Sequence, residues 1–196
     1  MHRMHHTHGF VLKSSPYGEA NRIVTIFTRE LGLIKASAQS VRHVHSKLRP
    51  GLLDFAYSRI TVVRGKSVWR ITSVLPESNI WTALSNHTEV RLMFGRVFSL
   101  LLRLLHGEEK NELLFEHLES AYTFCRECRN PEKLLPDMEY VLVLRVLHTL
   151  GYVGASPSIS DLVHSPYWSE GVVERMGAVK HEALKEINRS LHESQL

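Results

Sequence analysis

The sequence predicts an α+β chain, a small β-barrel followed by an all-helical domain, and three observations carry that prediction. Up to about residue 78 the apolar residues recur with a period near two; from about Trp81 they recur every three or four positions. The basic residues concentrate in the first of these regions. Residues 1–80 hold 12 Lys and Arg against 4 Asp and Glu, while residues 81–196 hold 12 against 16, so a net charge of +4 conceals a basic segment joined to an acidic one. Such asymmetry points to a polyanionic partner for the first segment.

The strands follow from β-branched and aromatic residues set between turn signals. Phe10–Lys13, Asn21–Thr28, Gly32–Ala38, Phe55–Arg64 and Val68–Leu75 are five such stretches, punctuated by Pro16-Tyr17-Gly18, Glu30-Leu31-Gly32 and Gly65-Lys66. Between the third and fourth, Ser40 to Gly51 is too long for a hairpin, and Leu52 and Leu53 after it suit a short helix plugging the barrel. Five strands with an insertion after the third is the plan of the OB-fold, a partly open barrel whose face and loops bind single strands. Phe10, Phe27 and Phe55 are expected in the barrel core.

Helical spacing begins beyond the last strand. Val90, Phe94, Val97, Leu101 and Leu104 form one stripe that stops at Gly107, and Leu114, Leu118, Ala121, Cys125 and Cys128 form a second. A third helix, about Pro136 to Leu150, is polar only along a strip marked by Arg145, His148 and Thr149; Val172 to Leu191 adds one or two more, interrupted by Gly177. The expected division is therefore a nucleic-acid-binding barrel over residues 1–78 and a helical bundle over 81–196. A hydrophobic fraction of 43% suffices for buried cores, and the longest apolar runs are broken by Arg103 and Arg145, short of a membrane span. With no signal-peptide pattern at the start and only two cysteines, a soluble cytoplasmic protein is expected.

A binder of nucleic acid without sequence preference needs cations that follow the phosphates and platforms on which bases stack. Lys13, Arg22, Lys35, Arg42, Lys47, Arg49, Arg64, Lys66 and Arg70 supply the charge. Arg42, Lys47 and Arg49 stand out because they share a loop without an acidic residue until Asp54. Arg22 and Lys35 lie on adjacent predicted strands and either share one barrel face or are isolated exposed residues. Tyr17 at a turn and Trp69 on the last strand are the candidate platforms, although the alternation of Trp69 with Ile71 and Leu75 favours the core. His43 and His45 would add charge to the loop below a pH of about 6.5. His2, His5, His6 and His8 read as a solvated arm.

Other motifs point away from chemistry. Cys125 and Cys128 have no second pair to complete a zinc site and fall on an apolar stripe, so they read as core, and no metal or other cofactor is called for. Neither a phosphate-binding glycine loop nor a nucleophile elbow occurs, and Glu108, Glu109, Glu112, Glu116 and Glu119 read as a solvated acidic helix face. A binding protein is expected, not an enzyme. Arg91, Arg96 and Arg103, alternating with apolar residues, are candidate contacts for the acidic tail of a partner.

Gly9-Phe-Val-Leu-Lys13, the Tyr17-Gly18-Glu19 turn, Ile26-Phe-Thr-Arg-Glu-Leu-Gly32, the Ala38-to-Ser46 segment with Arg42 and Ser46, and Leu144-Arg-Val-Leu-His-Thr-Leu-Gly-Tyr152 together resemble the bacterial RecO recombination mediators. The resemblance implies an OB-fold followed by a helical domain, binding of single- and double-stranded DNA, annealing of complementary strands and help in loading the recombinase. It also implies two partners, RecR and the C-terminal tail of the single-stranded-DNA-binding protein, the latter through the helical domain. Many members carry a four-cysteine zinc module after the helix equivalent to Val141–Leu150. Here Gly151 runs through Ala155-Ser-Pro-Ser-Ile159 without a cysteine, the pattern of a short, zinc-free member. An interaction adaptor built on the helices and an RNA-binding OB protein are the alternatives.

Overall fold

Alternating side chains between residues 4 and 79 produce five strands: β1 (Met4–Tyr17), β2 (Asn21–Thr28), β3 (Gly32–Ala38), β4 (Ala56–Arg64) and β5 (Trp69–Asn79). They belong to a computed structural model that describes residues 3–154, 156–164 and 167–193. The strands close into a barrel in the order β1-β2-β3-β5-β4. β1 serves two neighbours, pairing antiparallel with β2 over Gly9–Tyr17 and with β4 over Met4–Phe10. The barrel closes where β3 and β5 run parallel, Ala36 opposite Trp69 and Ser37 opposite Arg70. This is the OB order expected from the sequence.

The interior is aliphatic apart from one indole. Val11, Val24, Ile26, Ile34, Ala36, Ala38, Ile60, Val62, Trp69 and Ile71 fill it. A 3₁₀ turn at Pro50–Leu52 adds Leu52 to the same core, and the Ser58 hydroxyl donates to the Gly51 carbonyl at 2.9 Å to hold that turn in place. Each fully buried Val, Ile or Leu contributes roughly 1.5–3 kcal/mol relative to its exposed state.

Two expectations about the barrel are corrected. His5, His6 and His8 do not form a solvated arm: they lie in β1 and pair with β4, His6 opposite Thr61 and His8 opposite Arg59. Unpaired backbone groups of β4 recruit them regardless of side-chain polarity, and the outward rings of His6 and His8 find Thr61 Oγ1 at 3.0 Å and Glu77 Oε1 at 3.2 Å. His2 lies outside the described residues. The aromatic trio is also displaced from the interior. Phe10 and Phe27 are fully buried and Phe55 half-buried, yet Phe10 packs on Tyr57 and Phe98, with centroids at 4.7 and 5.9 Å, and Phe55 stacks on Phe98 at 5.5 Å. They coat the outside of the barrel where a helix covers it.

Six α-helices follow: α1 (Ile80–Ala83), α2 (Thr88–Leu104), α3 (Glu112–Glu127), α4 (Asp137–Thr149), α5 (Ser160–Val163) and α6 (Glu170–Glu193). Asn79 caps α1, its side-chain oxygen accepting from the Trp81 amide at 2.9 Å. The chain divides into two compact units, Met1–Ser85 with Phe98–Glu112, and Asn86–Val97 with Leu113–Leu196. A linear boundary at residues 78–81 thus gives way to an excursion: the second half of α2 and the loop after it belong with the barrel.

In the second unit α4 is apolar around most of its circumference, with Val141, Leu142, Leu144, Val146 and Leu147 all buried, and it packs chiefly against α6 and α5. Arg145, expected on the polar strip of this helix, is fully buried. Its guanidinium donates to the carbonyls of Leu162 at 2.7 Å and Tyr167 at 3.0 Å and lies 4.5 Å from the centre of the Trp168 ring. α6 runs uninterrupted through Gly177 because Val173, Met176, Ala183 and Ile187 give it a continuous buried stripe.

Candidate nucleic-acid interface

The basic loop is tied to the neighbouring turn by its own backbone. Beyond β3, the Arg42 amide donates to the Ala20 carbonyl at 3.0 Å, the Ser40 amide donates to Asn21 Oδ1 at 2.9 Å, and the Arg42 guanidinium reaches the Gly18 carbonyl at 3.0 Å. Successive turns, closed by amides of His43, Ser46, Arg49 and Leu52 onto carbonyls three residues back, carry the chain into the 3₁₀ turn. The β1–β2 turn and the β3–β4 loop therefore act as one surface at one end of the barrel.

Arg22 joins that surface from below. It occupies the first inward-facing position of β2, in alternation with Val24 and Ile26, and donates to Ser14 Oγ at 3.0 Å. Arg22, Arg42 and Arg49, with Val41, Leu52 and Leu53, line one cavity of about 160 Å³. No carboxylate is among these lining residues. Arginine forks match phosphate oxygens two at a time. Lys47 is exposed on the same loop, and Tyr17, at the end of β1, is 61% exposed.

A second group forms on the outer face of the sheet. Register places Lys13 opposite Thr25 and Thr25 opposite Lys35, so the two lysines flank a threonine across β1, β2 and β3. They border a groove of about 770 Å³ whose far wall is Leu102, Leu105, His106 and Glu108, from the end of α2 and the loop beyond it. The alternative in which Arg22 and Lys35 share a face fails, because Arg22 has inward parity and Lys35 outward parity.

The remaining candidates are scattered or engaged. Arg64 lies 4.9 Å from the centre of the Trp69 ring and is ion-paired with Glu108. Lys66 and Arg70 are exposed near the β4–β5 turn. Trp69 is only 5% exposed and belongs to the barrel core, so it offers no face for a base. On α2, Arg91 donates to Thr88 Oγ1 at 3.0 Å, and Arg96 makes a two-pronged bond to Glu139 at 2.7 and 2.6 Å, a pairing that raises its pKa despite some desolvation. Arg103 is exposed but belongs with the barrel unit, so the three arginines are divided between the units.

Glu108 was not legible as part of any site. Far from lining a solvated helix face, it precedes α3 and reaches Arg64 from the groove. Only Gly107 in the sequence hinted that the helix ends before it. Cys125 packs in the core, its sulfur 3.7 Å from that of Met138.

Five strands in this order with cations gathered at one end define a chain of the OB class, an architecture that serves oligonucleotides and oligosaccharides alike. The family model described as the N-terminal domain of recombination protein O matches residues 1–79. A DNA repair protein RecO of Thermodesulfovibrio yellowstonii is 30% identical over 179 residues, covering 87% of this chain and 68% of its own length. One from Gloeothece citriformis is 32% identical over 162 residues, 81% of this chain and 54% of that protein, and one from Alkaliphilus metalliredigens is 29% identical over 132 residues, 59% and 54% respectively. The chain belongs to the RecO family. It spans about half the length of several of the curated relatives it matches.

Proposed function

We propose that this chain acts in DNA repair and recombination by gripping DNA through its backbone, single- or double-stranded and without regard to sequence, annealing complementary strands and helping to load the recombinase. The carrying observation is the trio Arg22, Arg42 and Arg49 around one cavity, joined by Lys47 and Tyr17 on the same end of the barrel. Annealing two polyanions requires their repulsion to be lowered and their bases left exposed; cations that hold the phosphates do both, and no bond is made or broken. The family relationship supplies the biological setting. RecR and the acidic tail of the single-stranded-DNA-binding protein are the partners of this reading; of the candidate tail contacts, Arg96 is engaged by Glu139.

Strand annealing followed by fluorescence tests it. The intact protein accelerates pairing of complementary oligonucleotides, and a variant combining Arg49→Glu with Lys47→Glu slows it at least tenfold while unfolding at the same temperature as the parent. Undiminished annealing by that variant would move the interface elsewhere.

A further inference from the structure

The groove on the outer face of β1–β3 already contains a carboxylate, and its placement resembles that of a ligand. Glu108 lines the groove together with Lys13 and Lys35 and is ion-paired with Arg64. The loop that carries it is seated on the barrel at several points. Gly32, at φ +66°, meets the backbone of Glu109 so closely that a Cβ there would overlap the Glu109 carbonyl oxygen. Lys110 bridges Glu30 at 3.3 Å and Glu112 at 3.0 Å, and Arg29 lies 3.9 Å from Glu112. Gly107, at φ +85° with open space around it, joins this loop to the end of α2.

We propose that Glu108 is an internal phosphate mimic, holding Arg64 and closing one end of the lysine-bordered groove until a nucleic-acid strand displaces it. The proposal rests on the DNA-binding reading above and concerns the regulation of that surface. Arg64 and Glu108 are 59% and 40% exposed as side chains, so their attraction is screened and worth little on its own. A pair of that strength competes with a phosphate without locking it out. A strand that brings several phosphates at once wins the exchange, whereas a single stray anion does not, so the carboxylate favours long polyanions over small ones. Apart from His106 and the charged residues, the groove walls are aliphatic or hydroxyl-bearing, with Ile23, Leu33, Leu102 and Leu105 and no indole, phenyl or phenol ring among them. This surface therefore follows the backbone, and stacking falls to residues outside the groove such as Tyr17.

A double-mutant cycle on the full chain, read by binding of a labelled oligothymidine strand across a salt series, tests the idea. Glu108→Gln releases Arg64 and is expected to tighten binding about two- to fivefold at low salt, the range set by an exposed ion pair. The advantage shrinks as salt screens the ion pair that the parent must break, so the dependence of log affinity on log salt steepens. Arg64→Gln alone weakens binding, because the strand loses the cation it wins from Glu108 while the freed carboxylate stays in the groove, and the double variant, lacking both partners of the exchange, binds like the parent. Glu119→Gln, an acid of α3, controls for loss of charge in general. An unchanged slope in Glu108→Gln, a gain equal to that of Glu119→Gln, or a gain that persists in the double variant each overturns the proposal while leaving the DNA-binding reading standing. Absence of salt-sensitive binding by the parent overturns both.

Discussion

Two buried basic side chains in the second unit show how the same helical packing can tolerate or exploit a polar group. Arg145 is satisfied: two carbonyls and an indole face receive its guanidinium, and burial lowers its pKa to about 10, so it stays charged at neutral pH. His117 is fully buried, and neither ring nitrogen has a hydrogen-bond partner among the described residues. Burial, helped by the nearby charge of Arg145 and by His148, pushes its pKa down to about 4. Unfolded, the same imidazole titrates near 6.5, so between these values the unfolded chain holds a proton that the folded one refuses. Stability is therefore complete above pH 6.5 and is lost as pH falls toward 4, by on the order of 3 kcal/mol at the bottom of the window. Urea unfolding at pH 7 and pH 4.5 checks this: the parent weakens markedly, while His117→Phe, which fills the site without a titrating group, weakens far less. Equal acid sensitivity in the two proteins would remove His117 as the cause.

At the scale of elements, β2 and β3 were legible residue for residue, because alternation bounded by turn residues leaves one register that buries Val24, Ile26, Ile34 and Ala36 together. The first half of β1 was not, since it is held by backbone pairing to β4 and its histidines leave no apolar signature. The aromatic residues were misplaced for a related reason: Phe10 and Phe55 have a partner, Phe98, that only the folded chain brings to the outside of the barrel. The β2–β3 turn provides the prediction at this scale. Gly32→Ala imposes a left-handed conformation on a residue with a Cβ and forces the Glu109 backbone away. Chemical denaturation is expected to show a loss of at least about 1–2 kcal/mol, and a loss below that would mean that the loop after α2 yields freely.

For the whole molecule, the division of charge was legible and its convergence was not. The sequence shows nine candidate cations in the first 80 residues, but which of them gather depends on strand parity and on carboxylates supplied from far along the chain. Glu108 takes Arg64, while Arg22, Arg42 and Arg49 meet where no acid lines the cavity. Arg22 reaches that place because a residue of inward parity at the end of a strand emerges at the barrel mouth. The central claim is that this convergent trio carries the grip on nucleic acid. The salt dependence of affinity for a single strand, compared between the parent and an Arg22→Gln, Arg42→Gln, Arg49→Gln variant, measures it directly. Loss of three phosphate contacts flattens the slope by about 2; a slope that does not change contradicts the claim.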